Sequence, residues 1–306
     1  MSQRRIFWDT ETYKIGPNAV APKMICVSWA YVDDDGNLVN DVKSFWDAGV
    51  KERIEGWLLG NDILVAHNAA YDLSVLITTY PEFEPLIYDK LSRGEVTDTV
   101  MREMLLNLST TGKLEKLKLP DGTVQPIKYG LASLVEKYLG LDISEDKDEQ
   151  SWRTNYGRLE GLRADQWYGV ARGEEAVRYA KDDARFLVEI YHEQEKQVQT
   201  ETGYASLSTE FFQTKVSFAL YQITCEGMPI DEEEFFKFRA HIMSELSEEK
   251  LAPLIKAKIM RPGTPAMPYK KQVDRAAEQL AEWLGISPDD VRWELVDQDL
   301  QQALED

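Results

Sequence analysis

Hydrophobic and polar positions first alternate in short runs and then settle into helical stripes. Residues 4 to 10 (RRIFWDT), 24 to 32 (MICVSWAYV) and 42 to 46 (VKSFW) are β-rich apolar runs and predict three strands. Between the second and third, Asp33-Asp34-Asp35-Gly36-Asn37 is a hairpin turn signal. Lys51 to Leu59 then carries a helical stripe, Ile63 to Ala66 reads as a buried strand, and Tyr71 to Tyr80 returns to helical period. This order predicts an antiparallel meander followed by parallel additions, an α/β mixed sheet with helices on its faces.

From position 100 the pattern is mostly helical, interrupted by a polar stretch, Thr110 to Lys128, whose Gly, Pro and Lys content predicts an exposed loop or hairpin. Leu131 to Leu139 and Glu174 to Gln199 read as helices, the second long and amphipathic. After Thr200 to Ser208 the chain turns helical and acidic, with Phe211 to Glu226 and Glu232 to Lys258 around the turn Gly227-Met228-Pro229-Ile230-Asp231. A boundary near residue 205 divides the chain into 1–205 and a mainly helical 206–306. Residues 261–306 open on a Pro/Gly segment and continue as helix, turn and helix.

Length and composition narrow the classes. A chain of 306 residues has room for about two domains, and 43% hydrophobic residues can bury a real core, which excludes disorder of the whole chain. Its 35 Lys and Arg against 54 Asp and Glu give a net charge of −19, against a polyanion-binding surface spread over the whole protein. Cys26 and Cys225 are the two cysteines, so neither a disulfide framework nor a thiolate metal cluster is expected, and a cytosolic setting fits. No apolar run approaches the roughly 18 residues of a membrane span, and acidic residues in MSQRRIFWDTET interrupt any signal-peptide core.

The chemistry gathers in three short segments. In Phe7-Trp8-Asp9-Thr10-Glu11-Thr12 two acids lie two apart at a strand end and project from one face. In His67-Asn68-Ala69-Ala70-Tyr71-Asp72 a third acid follows a buried strand where a helix begins. In Tyr179-Ala180-Lys181-Asp182-Asp183 a tyrosine and an acid are four apart on one side of a helix. Helical steps from Asp183 meet Ala176, Ala180, Leu187 and Ile190, whereas steps from Asp182 meet Glu175, Arg178, Arg185 and Glu189. Asp183 is thus an acid in an apolar stripe, and a buried carboxylate is normally paired or bound to metal. Asp9, Glu11, Asp72 and Asp183 would form a set of hard oxygen ligands suited to Mg²⁺ or Mn²⁺. Two such ions side by side are the usual device for in-line phosphodiester cleavage, one activating the attacking water and the other steadying the leaving oxygen. Tyr179, with an ordinary pKa near ~10, suits aiming the water better than deprotonating it.

Other readings of the same residues are plainer. Asn68 or Asp72 could cap a helix, His67 reads as a packed or hydrogen-bonded side chain, and Trp152 as a structural aromatic. Lys113, Lys116, Lys118 and Lys128 could grip phosphate or belong to a solvated loop.

The ordered trio resembles the DEDDy subgroup of 3′-to-5′ exonucleases, and most of all the proofreading domain of bacterial and phage family A DNA polymerases, over roughly residues 4 to 195. Asp98-Thr99 with Leu105-Leu106-Asn107, and Ser133 to Leu139, resemble segments that family places between its second and third motifs. The resemblance implies a ribonuclease H-like fold. It implies that Asp9 bridges two metal ions, Glu11 and Asp183 complete the water-activating one, and Asp72 serves the second. It further implies that Asn68 and Thr12 touch the terminal nucleotide, and that an aromatic near Trp152 stacks on a base.

Phe211 to Asp231 resembles the stretch where family A polymerases leave the exonuclease and begin the polymerase region; ribonuclease D and its relatives continue differently. The remainder holds no polymerase helix pattern with spaced Arg, Lys and Tyr-Gly, and is too short for palm and fingers. The expectation is a Mg²⁺- or Mn²⁺-dependent 3′-to-5′ exonuclease acting on single-stranded or frayed DNA 3′ ends, the proofreading part of a split polymerase whose synthesising half is a separate subunit. The alternatives are a free-standing RNA 3′-end trimming nuclease and a catalytically silent polymerase-interaction subunit. No residue visibly selects or rejects a 2′-hydroxyl.

Overall fold

In the computed structural model, which describes residues 3–16, 19–114, 129–143, 151–227 and 232–245 and the backbone of 116–118 and 124–126, the first apolar run becomes β1 (Arg5–Thr12). It pairs antiparallel with β2 (Met24–Val32), which pairs antiparallel with β3 (Leu38–Ser44). After α1 (Val50–Leu59), β4 (Ile63–Ala66) lies parallel to the other edge of β1. Helices α2 (Ala69–Thr79) and α3 (Glu84–Ser92) then lead to β5 (Val96–Asp98), parallel to β4. The five-stranded order β3-β2-β1-β4-β5 is the mixed sheet the pattern predicts and the ribonuclease H-like arrangement the resemblance implies.

The chain continues through α4 (Thr99–Thr111), the antiparallel pair β6 (Lys116–Lys118) and β7 (Val124–Pro126), α5 (Leu131–Leu139) and α6 (Gly173–Gln197). Helix α7 (Glu210–Glu226) follows two short turns, Val198–Thr202 and Tyr204–Leu207. Lys113 is exposed, while the side chains of Lys116, Lys118 and Lys128 lie outside the described residues.

Two local differences from the sequence pattern have physical causes. Strand β3 begins at Leu38 rather than 42, because the Asp33 carboxylate accepts from the amides of Asp35 and Asn37 and closes the turn early, bringing Leu38 opposite Val32. It ends at Ser44, where Asp47 accepts from the Ser44 amide and turns the chain away. Helix α2 begins at Ala69 rather than 71, because Asp98 accepts from the amides of Asn68 and Ala69. A segment as short as Val96–Asp98 carries no readable period, and it escapes the sequence pattern.

The sheet is covered on both faces. Ile6, Trp8, Val27, Trp29 and Leu64 pack with Ile54, Leu73, Leu76 and Ile87 on one side. Phe7, Ala30 and Val65 pack with Ala184, Leu187, Val188 and Tyr191 of α6 on the other. Burying each of these larger side chains contributes roughly 1.5–3 kcal/mol, so alternation along β1 alone fixes which residues meet α6. Helix α7 packs across α2, α3, α4 and β5 within a compact unit that ends at Gly227. A second unit begins at Met228, and its described part is α8 (Glu232–Glu245), with Phe235, Phe236 and Phe238 exposed. The expected continuation of that helix to Lys258 and the elements of 261–306 lie outside the described residues. Among the described residues no helix is long and apolar enough to cross a membrane.

Candidate active site

Alternation along β1 sends Ile6, Trp8 and Thr10 toward α2 and Phe7, Asp9 and Glu11 toward α6. Just past Glu11 the pairing with β2 shifts register, from Glu11↔Cys26 to Thr12↔Met24, a bulge that bends the strand end at the acids. On α6 the face that packs on the sheet carries Ala176, Tyr179, Ala180, Asp183 and Leu187, all buried. The result is a cluster in which one carboxylate oxygen from each of Asp9, Glu11 and Asp183 lies within 4.8 Å of the others. Glu11 and Asp183 are each 7% exposed and Asp9 is half-buried, so the group opens to solvent at one side.

Asp182 illustrates the helix phase by contrast: it is half-buried and pairs with Arg185 at 3.2 Å. The neighbouring acid in sequence therefore points toward Arg185, while Asp183 is turned toward Asp9 and Glu11.

Asp72 arrives from the opposite face of the sheet. The register of β4 on β1 ends at Phe7↔Val65, so the edge of β1 beyond it is met by the start of α2. There Asp72 accepts from the Thr10 amide at 3.0 Å and from Thr10 Oγ1 at 2.6 Å. Its carboxylate thus sits on the residue between Asp9 and Glu11 rather than among the three clustered oxygens. Burial pushes its pKa well above the usual carboxylate range, against the two Thr10 hydrogen bonds, and the negative charge of Asp98 adds to the rise.

Tyr179 is buried beside the cluster. Burial is the first cause holding its hydroxyl far above the ordinary tyrosine range, followed by the negative charges of Asp183, Glu11 and Asp9, with Arg153 opposing. It therefore stays a neutral hydroxyl at any working pH. Arg153 stands exposed on the turn Trp152–Thr154, a cation near the site that none of the three motif segments contains. Trp152 itself is packed inside, its ring 5.8 Å from that of Tyr156 and its Nε1 donating to the Arg172 carbonyl, which is a structural placement.

The remaining expected residues lie at the ends of the same elements, Thr12 closing β1 and Asn68 preceding α2. Asn68 is exposed and in the left-handed conformation, φ 65°, at the start of α2. Thr12 is buried, its hydroxyl 2.7 Å from Tyr71 Oη and donating to the Tyr13 carbonyl. His67 is hydrogen-bonded through Nδ1 to Thr99 Oγ1 at 2.9 Å. Sequence reasoning assigned no role to Asp98, a fully buried acid that holds the start of α2; its position before a helix was the available signal.

Three carboxylates of such proximity repel one another unless a cation lies between them, and an all-oxygen donor set of this kind matches a hard divalent ion. The donor chemistry therefore fits Mg²⁺ or Mn²⁺.

The family model described as 3′-5′ exonuclease matches residues 2–199. Fifteen chains of solved structures match. One, described as the apo form of the nuclease, is 17% identical with a TM-score of 0.44, covering 75% of this chain and 88% of its own. No curated protein matches.

Proposed function

Because this chain belongs to the 3′-5′ exonuclease family, we propose that it removes nucleotides from DNA 3′ ends by metal-dependent hydrolysis, as the proofreading part of a split family A polymerase. The observation that carries the reading is the convergence of Asp9, Glu11 and Asp183 at the end of β1. Asp9, Glu11, Asp72 and Asp183 would hold two divalent cations, Mg²⁺ or Mn²⁺, which when bound would supply activation of the attacking water and neutralisation of charge on the phosphodiester.

The chain's own residues do the rest. Tyr179, fixed as a neutral hydroxyl, can accept from or donate to the attacking water and so aim it at phosphorus. The water oxygen bonds to phosphorus as the bond to the bridging 3′ oxygen breaks, and that oxygen takes up a proton to become the new 3′ hydroxyl. Exposed Asn68 and the Thr12–Tyr71 hydroxyl pair border the place for the terminal nucleotide. We place the nuclease domain at residues 1–205, in keeping with a family match that ends at residue 199. Residues 206–306 form a thumb-like, partner-docking region, of which α7 is already seated on the nuclease unit. A separate polymerase subunit in the same cytoplasm would supply the electrostatic grip on DNA that a chain of charge −19 lacks.

Labelled single-stranded DNA and RNA of one sequence, digested side by side with Mg²⁺ and with a chelator, test the proposal. DNA shortened from its 3′ end in Mg²⁺ alone is expected. Faster trimming of RNA would favour the RNA-processing alternative, and no cleavage of either would leave the silent-subunit reading standing.

A further inference from the structure

The buried acid at the end of β5 is tied to more backbone than a helix cap requires. Asp98 is 0% exposed. Its Oδ1 accepts from the Val100 amide at 2.8 Å, which caps α4, and from the Asn68 amide at 3.0 Å, while Oδ2 accepts from the Ala69 amide at 3.0 Å. Two of these three donors belong to a different helix, α2, the one that bears Asp72. With donors on both oxygens the group acts as an acceptor only, which is the carboxylate form.

Its neighbour completes the clasp. Thr99 Oγ1 lies 2.9 Å from His67 Nδ1 and donates to the Ala66 carbonyl at 3.4 Å, so Asp98 and Thr99 together engage each residue from Ala66 to Ala69. The Thr99 carbonyl accepts from Gln194 Nε2 at 3.0 Å, and Gln194 belongs to α6, the helix of Tyr179 and Asp183. One dipeptide therefore joins the start of α2 to α6. It also meets Asn68, one of two non-glycine residues with positive φ among those described. A backbone held there persists because its surroundings over-determine it.

We infer that Asp98 is a positioning residue of the nuclease site, clasping the first turn of α2 so that Asn68 faces the substrate side and Asp72 reaches Thr10. The inference rests on the proposed nuclease function. Capping α4 needs a single acceptor, which serine supplies well at this position; holding α2 needs the second oxygen and the reach of a carboxylate.

Asp98→Ser keeps the first task and removes the second, and Asp98→Asn keeps the shape while turning an amide group toward a peptide N–H. In the full chain, both variants are expected to lose amide-exchange protection at Asn68 and Ala69 while Val100 keeps its protection in Asp98→Ser. Titration with Mn²⁺, read by the free-ion resonance, should weaken at the site that includes Asp72 by about 10- to 100-fold, with kcat falling by a similar factor and partly restored by excess Mn²⁺. A merely structural role would lower the folded fraction without moving the Mn²⁺ half-saturation. Unchanged exchange at Asn68 and Ala69, or wild-type Mn²⁺ binding, overturns the inference. A wild type that binds no Mn²⁺ and cuts no 3′ end instead refutes the nuclease reading, and amide exchange then decides the clasp alone.

Discussion

Asp182 and Asp183 are adjacent, yet one residue step of about 100° around the helix gives them different environments. Asp183 lies on the α6 face that packs on β1, and Asp182 is paired with Arg185 at the surface. Asp9→Ala or Asp183→Ala is therefore expected to cut exonuclease turnover by about 10³-fold or more, the equivalent of several kcal/mol of transition-state stabilisation. Circular dichroism should show the fold intact, since each change relieves repulsion among three acids. Asp182→Ala should keep activity within about twofold, because a half-buried, solvent-screened pair turned away from the cluster contributes little; a large loss in that variant would refute the helix phase. At Tyr179, burial and the three acids keep the phenol protonated, so the pH dependence of kcat should show no tyrosine ionisation up to about pH 9. Tyr179→Phe should lower kcat by about 10- to 100-fold, with the smaller fall expected if the hydroxyl only aims water. An alkaline limb in the wild type that disappears in Tyr179→Phe would make the phenol a base and overturn the assignment.

At the scale of elements, the acids are useful only if α6 and α2 start where they do. Gly173 opens α6 so close to the Trp167 carbonyl that an added Cβ would lie 1.8 Å from its oxygen. Gly173→Ala must push apart two backbones rather than a flexible side chain, and is expected to cost about 1–3 kcal/mol in denaturant melts, with reduced activity from a displaced Tyr179. A variant as stable as wild type would show that this contact gives way freely. The start of α2 carries a pH signature through Asp98, whose pKa burial pushes up to about 6 against the backbone hydrogen bonds from Val100, Asn68 and Ala69. Unfolded aspartate titrates near ~4, so between the two values the folded chain holds the extra proton. The contribution of Asp98 to stability must then fall as pH rises from about 4 through about 6 and level off above. Melts of metal-free protein should show the wild type losing stability relative to Asp98→Asn over that interval, and a parallel pair of curves would contradict the raised value. These same elements mark what the sequence could and could not reveal. Alternation in RIFWDTET and the apolar steps around Asp183 were legible, because burial on one face dictates side-chain type at fixed spacing. The hold of Asp98 on α2 was not, because a carboxylate bonded to amides 29 and 30 residues away imposes no local pattern. Nor does any spacing bring Arg153 beside Tyr179; only the tertiary packing of the turn Trp152–Thr154 does so.

For the whole molecule, the question is how a helix beyond the family match comes to be part of the nuclease unit. Arg102 of α4 is 1% exposed and lies 4.2 Å from the Tyr191 ring centroid, with ion pairs to Glu195 of α6 and Glu210 at the start of α7. At the other end of α7, Gln222 donates to Ser74 Oγ and Tyr221 to the Val20 carbonyl, with the Tyr221 ring 6.3 Å from that of Tyr71. The helix is thus anchored at its start by a buried cation and at its end against the helix that bears Asp72. Removing the cation leaves two carboxylates facing each other without it, one of them Glu210, whose pKa burial already raises. Arg102→Ala is accordingly expected to destabilise the chain by about 3–5 kcal/mol, and limited proteolysis should cleave first between residues 203 and 210, where α7 joins the unit. Replacing Arg102 with methionine and Glu195 and Glu210 with glutamine together should recover much of that loss, because the cost lies in unpaired buried charge. Failure of the triple variant to recover would mean that the cluster specifies the seat of α7 through its charges rather than merely tolerating them.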